Sequence, residues 1–181
     1  MIRVTISALL IYMWSSLAWG AVNDLLWSST TEQSGRFVQE KHLAALNRPF
    51  VTRGTYLYRK SSGLDWRTVY PITNELNISV DGVVEVQSDG SRKTLTADTR
   101  FSELLLAIFS GDQQKLQQQF SIEHTEHKLK LRPRVAQVSD IIREISVHIE
   151  NHSIKEITLY EPGGNSTHIS LLAEDNVNDK G

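Results

Sequence analysis

Two close pairs of histidines are the first residues that could do chemistry. His124 and His127 stand three apart in EHTEHK, and His148 and His152 stand four apart in HIENH. Such spacings bring two imidazoles onto one metal ion when they lie on a helix. Both pairs fall in strand-like or turn sequence, where residues three apart point to opposite faces. His148 shares a polar face with Ser146 and Glu150, so the reading taken is solvated surface, with no metal site. The carboxylate pairs Glu123/Glu126 and Asp140/Glu144 are spread over polar faces beside lysines and arginines, and read as surface charge. The chain has no G-x-S-x-G elbow and no cysteine to act as a thiolate. Gly163-Gly164 lacks the lysine and the helix of a phosphate loop. No catalytic residue and no cofactor is expected. An enzyme acting on envelope lipids or glycans stays open, because the fold could bring distant acids and histidines together.

The stretch GLDWRTVYP, Gly63 to Pro71, poses the same choice on a smaller scale. Asp65 and Arg67 flank Trp66, with Lys60 nearby, as in a polar site. On a strand, however, Asp65 and Arg67 point away from the side that carries Leu64 and Trp66. The alternation sends Leu64 and Trp66 to one apolar wall.

The elements that must build such a wall are legible by their period. LNISVDG places Leu76, Ile78 and Val80 on one face. HKLKLRP places Leu129 and Leu131, and REISVHIE places Ile145, Val147 and Ile149, against charged or polar partners. EITLYE and HISLL repeat the pattern, which is that of strands with one apolar and one wet face. Turns are expected at Asp81-Gly82, Asp89-Gly90, Asn151-His152 and Gly163-Gly164-Asn165, so neighbouring strands should be antiparallel. TRFSELLLAIFSGD breaks the period. Phe101, Leu104, Leu105, Ile108 and Phe109 lie at i, i+3, i+4, i+7 and i+8, the stripe of an amphipathic helix. Gly111 should end that helix and Asp112 should cap a second one, DQQKLQQQF. A further helix is expected from about Asn23 to Gln33. The fold class is mainly β with a few helices: six strands' worth of sheet, a helical pair, then more antiparallel strands curled under the helices.

The first 20 residues, MIRVTISALLIYMWSSLAWG, have one early cation, an apolar core and small residues at Ala18 and Gly20, the pattern of a secretory signal peptide. The apolar core is too short to span a bilayer comfortably. Residues 21–181 are then one domain, with a polar tail from about 174. Losing Arg3 leaves 18 basic against 21 acidic residues, a net charge of −3. That balance gives no support to nucleic-acid binding. A cysteine-free exported chain fits a bacterial periplasm, and it lacks the residue on which a lipoprotein is acylated. Phe37, Phe50, Tyr56, Leu57, Tyr58, Leu64, Trp66 and Tyr70 crowd the first half, more than a small sheet needs if a helix also brings five apolar residues. A cavity walled by them could hold acyl chains, at about 0.8 kcal/mol per buried methylene.

The order of motifs resembles the LolA family of periplasmic carriers of outer-membrane lipoproteins. GRFVQEKHL resembles its first strand, with Phe37 followed two residues later by Gln39. TRGTYLYRKSSGLDWRTVYP resembles its next hairpin, ISVDG the following strand and turn, FSELLLAIFSGD its lid, and ITLYEPGGNSTHISL its last hairpin. The resemblance implies an incomplete, strongly curved antiparallel β-barrel with a helical lid over an apolar cavity. It implies a soluble monomeric carrier, not an enzyme, shielding acyl chains in transit from inner to outer membrane. The implied partners are a lipoprotein-releasing ABC transporter at the inner membrane and a receptor at the outer membrane. Expected wall residues are Phe37, Tyr56, Tyr58, Leu64, Trp66, Ile78, Val80, Leu129, Ile145 and Val147. Expected lid residues are Phe101, Leu104, Leu105, Ile108 and Phe109. The family has an arginine in the basic turn that holds the lid. Here alignment on the Trp places Lys60 there, with Arg59 beside it, as lid latch or partner contact. Divergence in this turn and in the LAALNRPF loop also admits another cargo, an acylated glycolipid or pigment. A filled-core scaffold without ligand is a third possibility.

Overall fold

A computed structural model describes residues 31–96 and 99–173 of the chain. The leader, the polar tail and nearly all of the Asn23–Gln33 helix lie outside the described residues. The last two residues of that expected helix, Glu32 and Gln33, open a strand instead.

The period-two segments are strands. β1 (Glu32–His42), β2 (Phe50–Arg59), β3 (Gly63–Tyr70), β4 (Asn74–Ser79), β5 (Gly82–Val86) and β6 (Arg92–Thr96) come first. The helices α1 (Thr99–Ser110) and α2 (Gln113–Gln119) follow. Then come β7 (Phe120–Thr125), β8 (Lys128–Pro133), a single turn of helix α3 (Ala136–Ser139), β9 (Glu144–Glu150), β10 (Ser153–Tyr160) and β11 (Ser166–Ala173). All eleven strands join one antiparallel sheet in the order β6-β5-β4-β3-β2-β1-β11-β10-β9-β8-β7. β1 pairs with β11, so the two halves of the chain meet in the middle of the sheet. β6 and β7 are its free edges, and the barrel does not close.

The local chemistry of the turns explains the hairpins. Asn151 and His152 both have positive φ, 50° and 61°, as a two-residue turn matching strand twist requires. Asp112 caps α2 by accepting a hydrogen bond from the Lys115 backbone N–H at 3.1 Å, and Gly111 ends α1 at φ 68°. Val80 departs from expectation. β4 ends at Ser79, so Val80 falls in the turn and is 63% exposed. The period-two reading ran one residue past the point where the chain turns, and the strand's apolar face ends at Ile78.

Two glycines set the inner surface. Phe37 on β1 stands opposite Gly54 on β2. A Cβ at Gly54 would lie 1.9 Å from the Arg67 carbonyl oxygen and 2.8 Å from the Phe37 ring. The missing side chain lets the Phe37 ring reach across β2 and stack on Trp66 of β3, with centroids 3.8 Å apart and planes 23° from parallel. Gly35 plays the same part under Tyr56, whose ring would be 3.1 Å from a Cβ there. Substituting Gly54→Ala should therefore destabilise the fold by about 1–3 kcal/mol through overpacking. The measurement is the midpoint of denaturant unfolding.

A concave apolar face under a helical lid

Strand register carries the apolar residues round one face without interruption. Ile78 faces Leu64, Leu64 faces Tyr58, and Tyr56 faces Trp66. Phe37 faces Leu171, Ile157 faces Val147, and Val147 faces Leu129. Ile145 completes the row beside Leu131. Of the ten expected wall residues, the structure brings Phe37, Tyr56, Tyr58, Leu64, Ile78, Leu129, Ile145 and Val147 together as buried residues of one cluster. Trp66 packs against that cluster, half-buried. Val80 stands at the rim, outside the wall.

α1 lies over this face and fills it. Ser102, Leu104, Ala107, Ile108 and Phe109 are its buried residues. The Phe109 ring, fully buried, sits between two wall tyrosines, 5.8 Å from Tyr56 and 5.6 Å from Tyr58 by centroids. With the Phe37–Trp66 stack it makes a ladder of five aromatic rings, and contacts of this kind contribute about 0.5–1.5 kcal/mol each beyond burial. Ala107 and Ser102 are small where the helix approaches the sheet. Ser102 is satisfied within the helix by donating to the Thr99 carbonyl at 2.9 Å. Phe101 differs from expectation, being 50% exposed. It lies in the first turn of α1 and lines a small cleft of about 100 Å³ with Val138, Ile141 and Ile142, at the seam between α1 and α3. α3 went unseen in the sequence because one helical turn is too short to show a period. Leu105 is half-buried against the same core.

The rim is polar. A cleft of about 450 Å³ lies between the β2–β3 turn, the β4–β5 turn and the junction of α1 with α2. Lys60, Asp81, Glu103, Asp112 and Lys115 line it. Lys60 is thus on the lid side. Arg59 is not: it lies on the convex side, where its Nε donates to Glu32 at 2.9 Å and its guanidinium lies 3.9 Å from Asp65. β2 ends at Arg59 and Lys60 opens the turn, so the two cations line different clefts.

The histidines stay outside. His148 Nδ1 is 3.0 Å from the His127 carbonyl oxygen, an acceptor that requires a proton on whichever ring nitrogen bonds to it. Its Nε2 is 2.9 Å from the Glu150 carboxylate, which likewise only accepts, and donation from Nε2 holds the Glu150 carboxyl below its ordinary range. Among the described residues no group of three potential ligands is placed to hold a metal ion. No helix among them is long and apolar enough to cross a membrane.

The sequence model of the family described as outer membrane lipoprotein carrier protein LolA matches residues 28–178. The chain belongs to the LolA family. No curated protein matches it in sequence. LolA proteins are carriers and not enzymes, and they work in the periplasm. The half-barrel with its helical cover is the architecture that the resemblance implied.

Burial raises the pKa of both wall tyrosines. For Tyr58 a nearby Asp112 charge adds to burial, while a hydrogen bond with Ser110 opposes it. The unfolded chain therefore ionises first, so this contribution is complete below the ordinary tyrosine pKa of about 10 and is lost as pH rises through the folded values. In an alkaline titration Tyr56 and Tyr58 should form tyrosinate later than exposed tyrosines, together with release of the lid. Absorbance at the tyrosinate band, compared with the near-ultraviolet dichroism of wild type and Tyr58→Phe, measures this. A second substitution tests the lid itself. Phe109→Ala should cost about 3–5 kcal/mol of stability and raise the fluorescence of a bound apolar dye.

Proposed function

We propose that this protein is a soluble periplasmic carrier that shields the acyl chains of lipoproteins, or of related lipidated cargo, between inner and outer membrane. The insertion of Phe109 between Tyr56 and Tyr58 carries this reading. The lid reaches the floor mainly through side chains. It is an apolar plug that an apolar chain can replace.

Magnitudes support an exchange. Leu104, Ile108, Phe109 and Leu116 are each worth roughly 1.5–3 kcal/mol when buried, together roughly 6–12 as an upper estimate. An acyl chain that buries about ten methylenes returns about 8 kcal/mol. Closed and loaded forms then lie close in free energy, as a carrier that must also unload requires. Lys60 would act at the rim, where it shares a cleft with Asp112 at the start of α2. A lysine there provides a point charge and not the planar fork of an arginine, so a latch through it would be weaker in geometry. By family resemblance the donor is a lipoprotein-releasing ABC transporter and the acceptor an outer-membrane receptor. The signal peptide would be removed on export, leaving a monomer.

The ring ladder favours a second cargo within the same mechanism. A flat aromatic or conjugated moiety would take over the ring contacts of Phe109, which a saturated chain cannot, so within the alternative load of acylated glycolipid or pigment these contacts favour the pigment.

The test is lipid extraction and native mass spectrometry of the protein purified from its own periplasm. Stoichiometric acylated cargo is expected, and its mass distinguishes lipoprotein from pigment or glycolipid. A protein that is reproducibly empty, and that fails to solubilise any added lipoprotein or lipid, would exclude the carrier. Trp66→Glu should keep the fold and lower cargo loading about tenfold or more, since a charge in an apolar wall costs well above 1.4 kcal/mol.

A further inference from the structure

The inner wall changes character along its strands. In the row beside the β2–β3 turn, Tyr58, Leu64, Ile78 and Val83 face one another, and all are buried. The next row on that face is Tyr56, Trp66, Leu76 and Glu85, of which only Tyr56 is buried. In the row after it Gly54 faces Thr68 and Thr68 faces Asn74, with Gln87 just past the end of β5. Between Leu64 and Thr68 the wall therefore passes from buried and apolar to half-buried and polar.

One atom of the polar row lacks a partner. The Asn74 Nδ2 donates to one oxygen of Glu85 at 3.0 Å, and the Gln87 Nε2 donates to the other at 2.7 Å. An ionised carboxylate only accepts, so the amide nitrogen of Asn74 must face it and the amide oxygen must face away. That oxygen, Oδ1, is buried and receives no hydrogen bond. It is the only buried side-chain polar atom in this state among the described residues. A buried acceptor without a donor has lost its hydration with nothing in exchange. Thr68, opposite Asn74 on β3, does not supply the bond, and Lys93, opposite Glu85, stands on β6, two strands away.

We propose that Asn74 Oδ1 is the acceptor of a head-group subsite on the inner wall, selecting acyl chains that carry a hydrogen-bond donor, N–H or O–H, at their polar end. This rests on the carrier reading above and adds the chemistry of the head and the direction of the load. The hydrocarbon lies toward Leu64 and Ile78, and the head lies toward Asn74. Tail, junction and head then follow the wall in its own order. A donor at the junction meets the acceptor that lacks one. A plain ester offers only acceptors there and leaves Oδ1 as it was. Lys60, Asp81 and Glu103, at the cleft beside the lid, are exposed to water and make no such demand.

The experiment is displacement of an apolar dye from the purified protein by matched dodecanoyl probes. N-methyldodecanamide carries an N–H and N,N-dimethyldodecanamide does not. Methyl 3-hydroxydodecanoate carries an O–H and methyl dodecanoate does not. The readout is the affinity ratio within each pair. At least one ratio should be about fivefold higher in wild type than in Asn74→Leu, the yield of one neutral hydrogen bond. Methyl dodecanoate should bind both proteins alike. Asn74→Ala should lower the ratio as Asn74→Leu does, which separates the lost acceptor from the packing of a leucine. The pair that responds tells N–H from O–H. Partition of the same probes from water into octane gives a reference that needs no variant, and wild type should exceed its ratio by about fivefold or more. Ratios equal in wild type and both variants, or equal to those of octane, overturn the proposal in favour of water at Oδ1 and leave the carrier reading standing. Failure of every probe to displace the dye overturns both.

Discussion

A sheet with one apolar face must cover that face, and everything else in this molecule follows from the cover being a helix and not a second sheet. A helix laid in a curved trough meets it along a stripe only. The contact is closed by a few long side chains, above all Phe109 between Tyr56 and Tyr58. Strand pairing holds the trough through a continuous ladder of backbone bonds. The lid has no such ladder to the sheet. The two parts of the fold are thus held by different forces, and the weaker one guards the apolar interior.

Much of this was legible in the sequence because period is a direct consequence of geometry. Leu64, Ile78, Leu129, Ile145 and Val147 alternate with polar residues, and alternation alone assigns them to one face. Leu104, Ile108 and Phe109 follow the helical period and lie beneath the lid. Errors arose where period gives no information. Val80 continues the alternation but sits in the turn, since Asp81-Gly82 sets where the chain reverses and not where the strand stops. Phe101 fits the stripe yet lies in the first turn of α1, where the lid faces α3 instead of the sheet. Which side each of Arg59 and Lys60 takes is also beyond period, because the strand stops between them and Lys60 opens the turn. The Phe37–Trp66 stack depends on a pairing of β1, β2 and β3 around Gly54 that no local pattern encodes.

The two surfaces of the sheet divide the labour. The concave side is apolar with polar turns at its rim. The convex side carries ion pairs such as Arg132 with Glu123 and Glu144, each at 2.9 Å, which are exposed and add little to stability. Their use is solubility. Charge on the outer wall lets a chain with a greasy interior remain dispersed.

The unpaired edges β6 and β7 have a further consequence. A closed barrel has a bore fixed by its number of strands and their stagger. Here no backbone bond joins the first and last strands of the sheet, so the trough can widen or narrow by changing its curl, without breaking a ladder. The width of the trough is then an elastic property of the sheet and not a number set by strand count.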